Sequence, residues 1–163
     1  MRRRRVLVPA VVCVLSAVVA GSQSSSPAAL PSALRAHVRD ETYGIVTSIR
    51  GLPLGVRDAL QTLFGSTTLD IAEPGAKFQV TDVIAEPGLP IRRLVAAGCS
   101  SDHCLVYYER GGIAHTWQVV LFHWTPKATR FEWGGSAPGG LATVDQVRKA
   151  MLSGVIKGPN KFW

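Results

Sequence analysis

The spacing of apolar residues changes from helical to alternating partway along the chain and back near its end, and that pattern predicts its fold class. Leu34, Val38, Ile45, Ile49 and Leu52 share one helical face behind Ser32, an N-cap residue, with Gly44 as the weak point. A second helix follows Pro53, with Val56, Leu60, Leu63 and Phe64 as its apolar stripe and Gly65 placed to end it. After Gly65 apolar and polar residues alternate, which predicts strands near 67–72, 77–85, 91–99, 104–110, 113–124 and 129–134. The segments Ile71-Ala72-Glu73-Pro74-Gly75 and Ile84-Ala85-Glu86-Pro87-Gly88 repeat each other. Pro-Gly suits a type II turn, because proline fixes φ at one position and glycine accepts positive φ at the next.

Gly111-Gly112 between β-forming residues predicts a two-residue hairpin loop. In that register Tyr108 lies opposite His115 and Val106 opposite Trp117, while Glu109 and Tyr107 fall on the other face. The glycine-rich stretch 134–140 reads as a connecting loop. A last helix begins at a capping box of Thr143 and Gln146, buries Val144, Val147 and Met151, and stops at Gly154. The terminal Phe162 and Trp163 are expected to tuck back against the body. Helices, a run of strands, then a helix make an α+β pattern. The expectation is N-terminal helices and a C-terminal helix packed on one face of a curved, mainly antiparallel meander sheet of five to six strands. By analogy alone, such an arrangement resembles a cystatin-like roll, which carries no function with it.

The start of the chain changes how charge is counted. Arg2 to Arg5 precede an apolar run from Val6 to Ala20, interrupted by Pro9 and Ser16. A basic head, a short apolar segment and small residues at its end predict a signal peptide over 1–20, cut after Ala20. Val12 is too large to precede a lipidated Cys13, and four arginines meet a loose twin-arginine pattern easily, so general secretion is favoured. Residues 21–31, rich in Ser, Ala and Pro, read as a flexible spacer before a single domain over 32–163. Of the 18 basic and 11 acidic side chains, four basic ones leave with the signal, so the net charge falls from +7 to +3. That balance, with scattered bases, argues against nucleic acid as a partner. The signal supplies the sole expected membrane contact, and the product is secreted or periplasmic.

Cys99 and Cys104 remain after Cys13 is removed, and an even pair in an exported chain predicts a disulfide. It would close the polar tip Ser100-Ser101-Asp102-His103 at a Cα separation of about 5.5 Å. Four intervening residues do not fit a redox motif, and zinc would need two more ligands.

No motif assigns a chemistry. The 134–140 loop lacks both the P-loop ending and the dinucleotide spacing, so no cofactor is expected. No metal is expected either. His37, near Asp40 and Glu41, reads as part of a solvated helix face; His115 and His123 lie too far apart on one strand; His103 would ligate with Cys104 only without the disulfide. Ser100, Asp102 and His103 have hydrolase residue types without triad geometry. Asp82 interrupts an apolar phase and reads as a bulge. Tyr108, His115 and Trp117 are the candidate binding residues, set against a cross-strand aromatic pair that merely stabilises the sheet. No catalytic residue is assigned. The expected function is a non-enzymatic exported domain that binds a protein partner or small ligand through one sheet face. The alternatives are a small hydrolase or other general acid–base enzyme using His115 with Tyr108, and a secreted enzyme inhibitor presenting residues 100–103.

Overall fold

The computed structural model describes residues 29–84 and 86–158. The expected signal peptide, Cys13, most of the spacer, and the terminal Phe162 and Trp163 lie outside the described residues. Within them the elements run α1 (Ser32–Asp40), β1 (Gly44–Val46), a 3-10 turn (Ile49–Gly51), α2 (Leu54–Phe64), β2 (Arg92–Cys99), β3 (His103–Arg110), β4 (Thr116–Thr125), β5 (Ala128–Ala137) and α3 (Val144–Ser153). The five strands form one antiparallel sheet in chain order, an α+β meander. No helix of the described residues is long and apolar enough to cross a membrane.

The helices cover both faces of the sheet, not the single face expected. Leu105, Tyr107, Val119, Leu121 and Trp133 pack with Leu34 and Val38 of α1 and Val144, Val147 and Met151 of α3. Their strand neighbours Cys104, Val106, Tyr108, Val120 and Phe122 pack with Leu52 and with Val56 and Leu60 of α2. Alternation puts successive side chains on opposite faces. Two covered faces therefore bury every β3 residue from His103 to Glu109.

α1 is shorter than its apolar stripe predicted. Its N-cap is Pro31 rather than Ser32, and it ends at Asp40, so Ile45 sits on the strand β1. Leu30, expected in the spacer, is buried in the core. The guanidinium of Arg148 fixes the end of α1 by donating to the carbonyls of Val38, Arg39 and Glu41 at 2.7, 2.8 and 3.0 Å. A cation there satisfies carbonyls that the helix leaves open and meets the negative end of its dipole. Arg35 of α1 returns the arrangement on α3, donating to Leu152 O at 2.8 Å.

Two expected strands do not form. The segment between α2 and β2 makes isolated parallel bridges, Ala72 with Arg93 and Thr81 with Gly112. Its two Pro-Gly turns do form, with φ of +74° at Gly75 and +88° at Gly88. The β3–β4 hairpin is also displaced. Tyr108 pairs with Gln118 and Arg110 with Thr116, so residues 111–115 form the connection. Gly111 serves backbone approach here: a Cβ at this position would collide with the Gln79 and Val80 backbone, and Gly112 N donates to Val80 O at 3.1 Å. β5 likewise runs on through Gly134 and Gly135, because the 157–158 backbone lies against them and bridges to Ser136. The Thr143–Gln146 capping box and the left-handed Gly154 form as predicted.

Candidate functional site

Two imidazole–carboxylate clusters stand on the α1–α3 face of the sheet, at opposite ends of β3. One descends from Glu109, the other from His103. Six residues of strand separate these, about 20 Å, and their even spacing puts both on one face.

At the first end Arg93, Glu109 and Trp117 form a row across β2, β3 and β4. Glu109 is buried, with a side chain 7% exposed. Arg93 Nε donates to its Oε1 at 2.6 Å, and His115 Nε2 donates to its Oε2 at 2.8 Å. The His115 ring stacks on Trp117 at 4.4 Å and 29°, and the Phe78 ring centre stands 5.8 Å from that of His115. The Arg93 guanidinium lies 4.5 Å from the Phe78 ring centre. An open cleft of about 450 Å³ reaches these groups beneath Lys77, Val83 and Leu89. Two larger clefts, of about 870 and 670 Å³, have no imidazole in their walls.

Of the three predicted binding residues, the structure brings His115 and Trp117 together and separates Tyr108 from them. A slip of three residues in the hairpin reverses the faces, so the partner of His115 is Glu109. Tyr108 lies fully buried on the α2 face, 5.3 Å from the Phe64 ring. Burial pushes its phenol above the ordinary tyrosine range, against the pull of Arg92 and Arg110.

At the second end the disulfide Cys99–Cys104 forms as predicted, with Cα atoms 4.1 Å apart. The separation is shorter than expected because these residues make a narrow, non-hydrogen-bonded pair between Ser100 and His103, whose backbones bond at 2.7 Å. Ser100 Oγ accepts from the backbone N–H of His103 at 2.9 Å and donates to Glu41 Oε2. Thus the tip is folded inward. Ser101 and Asp102 are exposed, while the His103 side chain is 3% exposed.

Glu41, the C-cap residue of α1, collects the cluster. His37 Nδ1 donates to its Oε1 at 2.6 Å, across the last helical turn. His103 Nδ1 donates to the same carboxylate at 2.9 and 3.1 Å. The two rings are 4.4 Å apart, and His123 stands edge-on to His103 at 5.5 Å. Burial opposes charge on Glu41, yet the bonds from Ser100 and His37 and the nearby His103 outweigh it and hold its carboxyl below the usual range. These groups do not make a nucleophilic triad, since Ser100 donates to the acid and not to an imidazole.

Glu41, His103, Glu109 and Arg93 were not among the predicted site residues. The spacing of His37 and Glu41 was visible as a helix-face pair, whereas His103 reaches them from 62 residues away. The chain matches no protein-family model, no curated protein and no solved structure at a significant level.

Proposed function

We propose that the mature chain is an exported, non-enzymatic binding domain that takes a small, flat, largely apolar ligand in the cleft beside His115. The observation that carries this reading is the ring assembly around that cleft. His115 is backed by Trp117, flanked by Phe78 and oriented by the buried Glu109, leaving Nδ1 as the polar contact for a ligand. Export is supported by the Cys99–Cys104 disulfide and by the basic, then apolar, start of the sequence. The mature product should begin at Gly21, and intact-mass measurement of the native protein checks this; a product beginning at Met1 contradicts it.

Saturation-transfer NMR with planar aromatic acids and amides tests the binding site. Binding that disappears in His115→Ala and persists in Tyr108→Phe supports the cleft. A panel without binders, or one whose binding survives His115→Ala, contradicts it.

A second reading rests on the same 2.8 Å bond, because a carboxylate-oriented imidazole is also the arrangement of a general base. Tyr108 has no part in it. Turnover of chromogenic esters or phosphoesters that vanishes in His115→Gln would replace the binding reading with this one. The inhibitor reading has less to offer a target, as only Ser101 and Asp102 of its loop are exposed.

A further inference from the structure

The cluster at the opposite end of β3 has no place in the ligand cleft, and its chemistry is different. Three side chains, His37, Glu41 and His103, each offer one ligand atom to the same small space. Among the described residues these atoms all lie within 4.8 Å of one another. We infer that His37, Glu41 and His103 form a binding site for a divalent transition-metal ion of the Zn²⁺ or Cu²⁺ class.

The donor set suits those ions. Two imidazoles and one carboxylate are borderline ligands, favoured by Zn²⁺ and Cu²⁺ over the hard Ca²⁺ and Mg²⁺. Metal–ligand bonds of about 2.1 Å at tetrahedral angles would separate the donor atoms by about 3.4 Å. The present Nδ1–Oε1 distances are 2.6 and 2.9 Å, the lengths of bonds bridged by a proton. Replacing those protons with a cation requires each imidazole nitrogen to part from the carboxylate oxygen by less than about 1 Å. His37, whose side chain is 48% exposed, can supply that movement.

The supporting contacts hold the other two donors in place. Ser100 Oγ donates to Glu41 Oε2 and accepts from the His103 N–H, so one hydroxyl fixes both ligands. The neighbouring disulfide pins the strand that starts at His103, and Arg148 holds the Glu41 carbonyl at 3.0 Å. Such outer contacts orient the ligating side chains. With His103 buried and His37 exposed, the site opens on one side, where water or a substrate group can complete the coordination. Among the described residues no lysine or arginine side chain forms an ion pair with the Glu41 carboxylate, whose hydrogen bonds come from His37, His103 and Ser100.

Isothermal calorimetry with Zn²⁺ on the tag-free, oxidised protein tests the inference. One equivalent should bind to the wild type. His37→Gln and Glu41→Gln should each weaken it by at least about tenfold, and His115→Gln should leave it unchanged. Because His37 is exposed, its variant keeps the fold even if a His103 variant does not. Cu²⁺ provides a second readout: its electron paramagnetic resonance should carry coupling to two imidazole nitrogens, reduced to one in His37→Gln. Failure of the wild type to bind Zn²⁺ or Cu²⁺, or affinity unchanged in both His37→Gln and Glu41→Gln, would leave the cluster a hydrogen-bonded clasp and overturn the inference. Neither result bears on the ligand cleft, which stands or falls with His115.

Discussion

The two ends of β3 present the same pair of groups to the same face of the sheet, and the third partner makes them chemically different. Glu109 is bonded to an imidazole and to the Arg93 guanidinium. Its charge is met inside the protein, and what remains for a ligand is a wall of rings. Glu41 is bonded to two imidazoles and a serine hydroxyl. Among the described residues no lysine or arginine side chain pairs with that carboxylate, so this end offers two imidazoles and an acid to a cation from outside. A histidine beside a glutamate does not define a site. The charge of the next side chain decides what the pair can hold.

The sharpest way to break this contrast is Arg93→Ala. It leaves the Glu109 carboxylate buried with an imidazole as its remaining partner, and should destabilise the protein by about 3 kcal/mol in urea denaturation. Glu41→Gln removes a carboxylate that no guanidinium pairs and leaves an amide oxygen able to accept in its place, and should cost about 1 kcal/mol. Equal losses would mean that the two carboxylates are not differently compensated.

Reducing the disulfide should affect the Glu41 end alone. The loop is short, so the loss should be about 2 kcal/mol, measured as a lower urea midpoint with reductant. Amide hydrogen exchange should quicken around residues 100–104 and stay slow along Arg93, Glu109 and Trp117. Arg148→Ala should have a smaller effect of about 1 kcal/mol, with exchange rising at the end of α1 and not in α2.

The least disruptive test concerns the three tyrosines, Tyr43, Tyr107 and Tyr108, all of them buried. Burial raises all three phenols, and Tyr107, bonded to Pro138 O, is pushed up to about 12. The folded state therefore favours neutral tyrosine. That stability is fully present below the unfolded value near pH 10 and is lost as pH rises through about 12. Absorbance at the tyrosinate band should stay flat through pH 10 and rise together with alkaline unfolding. A rise near pH 10 in folded protein would contradict the burial.

Much of this architecture was legible in the sequence. Arg92–Cys99 and His103–Arg110 were recognisable as strands around a polar tip. The Thr143–Gln146 box and Gly154 marked the ends of α3, since caps are local signals. The 67–85 region was not legible. Its residues alternate as strands do, but its backbone groups find scattered partners, such as Gln79 N on Pro90 O at 2.8 Å and Ala72 N on Arg92 O at 2.9 Å. Period reports which side chains alternate, and says nothing about whether a neighbouring strand exists.

The site misled for a related reason. Gly111 and Gly112 have the composition of a tight turn, yet the excursion's backbone presses on Gly111. That contact is tertiary, and it moved the register enough to exchange Tyr108 for Glu109 as the partner of His115. The Glu41 cluster was hidden by distance along the chain. His37 and Glu41 are an ordinary helix-end pair until the hairpin tip folds His103 onto them.

The central claim is that the end whose carboxylate has no guanidinium partner among the described residues is the one that binds metal. Long-range proton–nitrogen spectra of the imidazoles during a Zn²⁺ titration test it most directly, because they report each histidine separately. The ring signals of His37 and His103 should shift together and saturate at one equivalent, with His115 unmoved beside Glu109 and Arg93. A titration in which His115 responds first, or in which the histidines respond alike, would contradict the account.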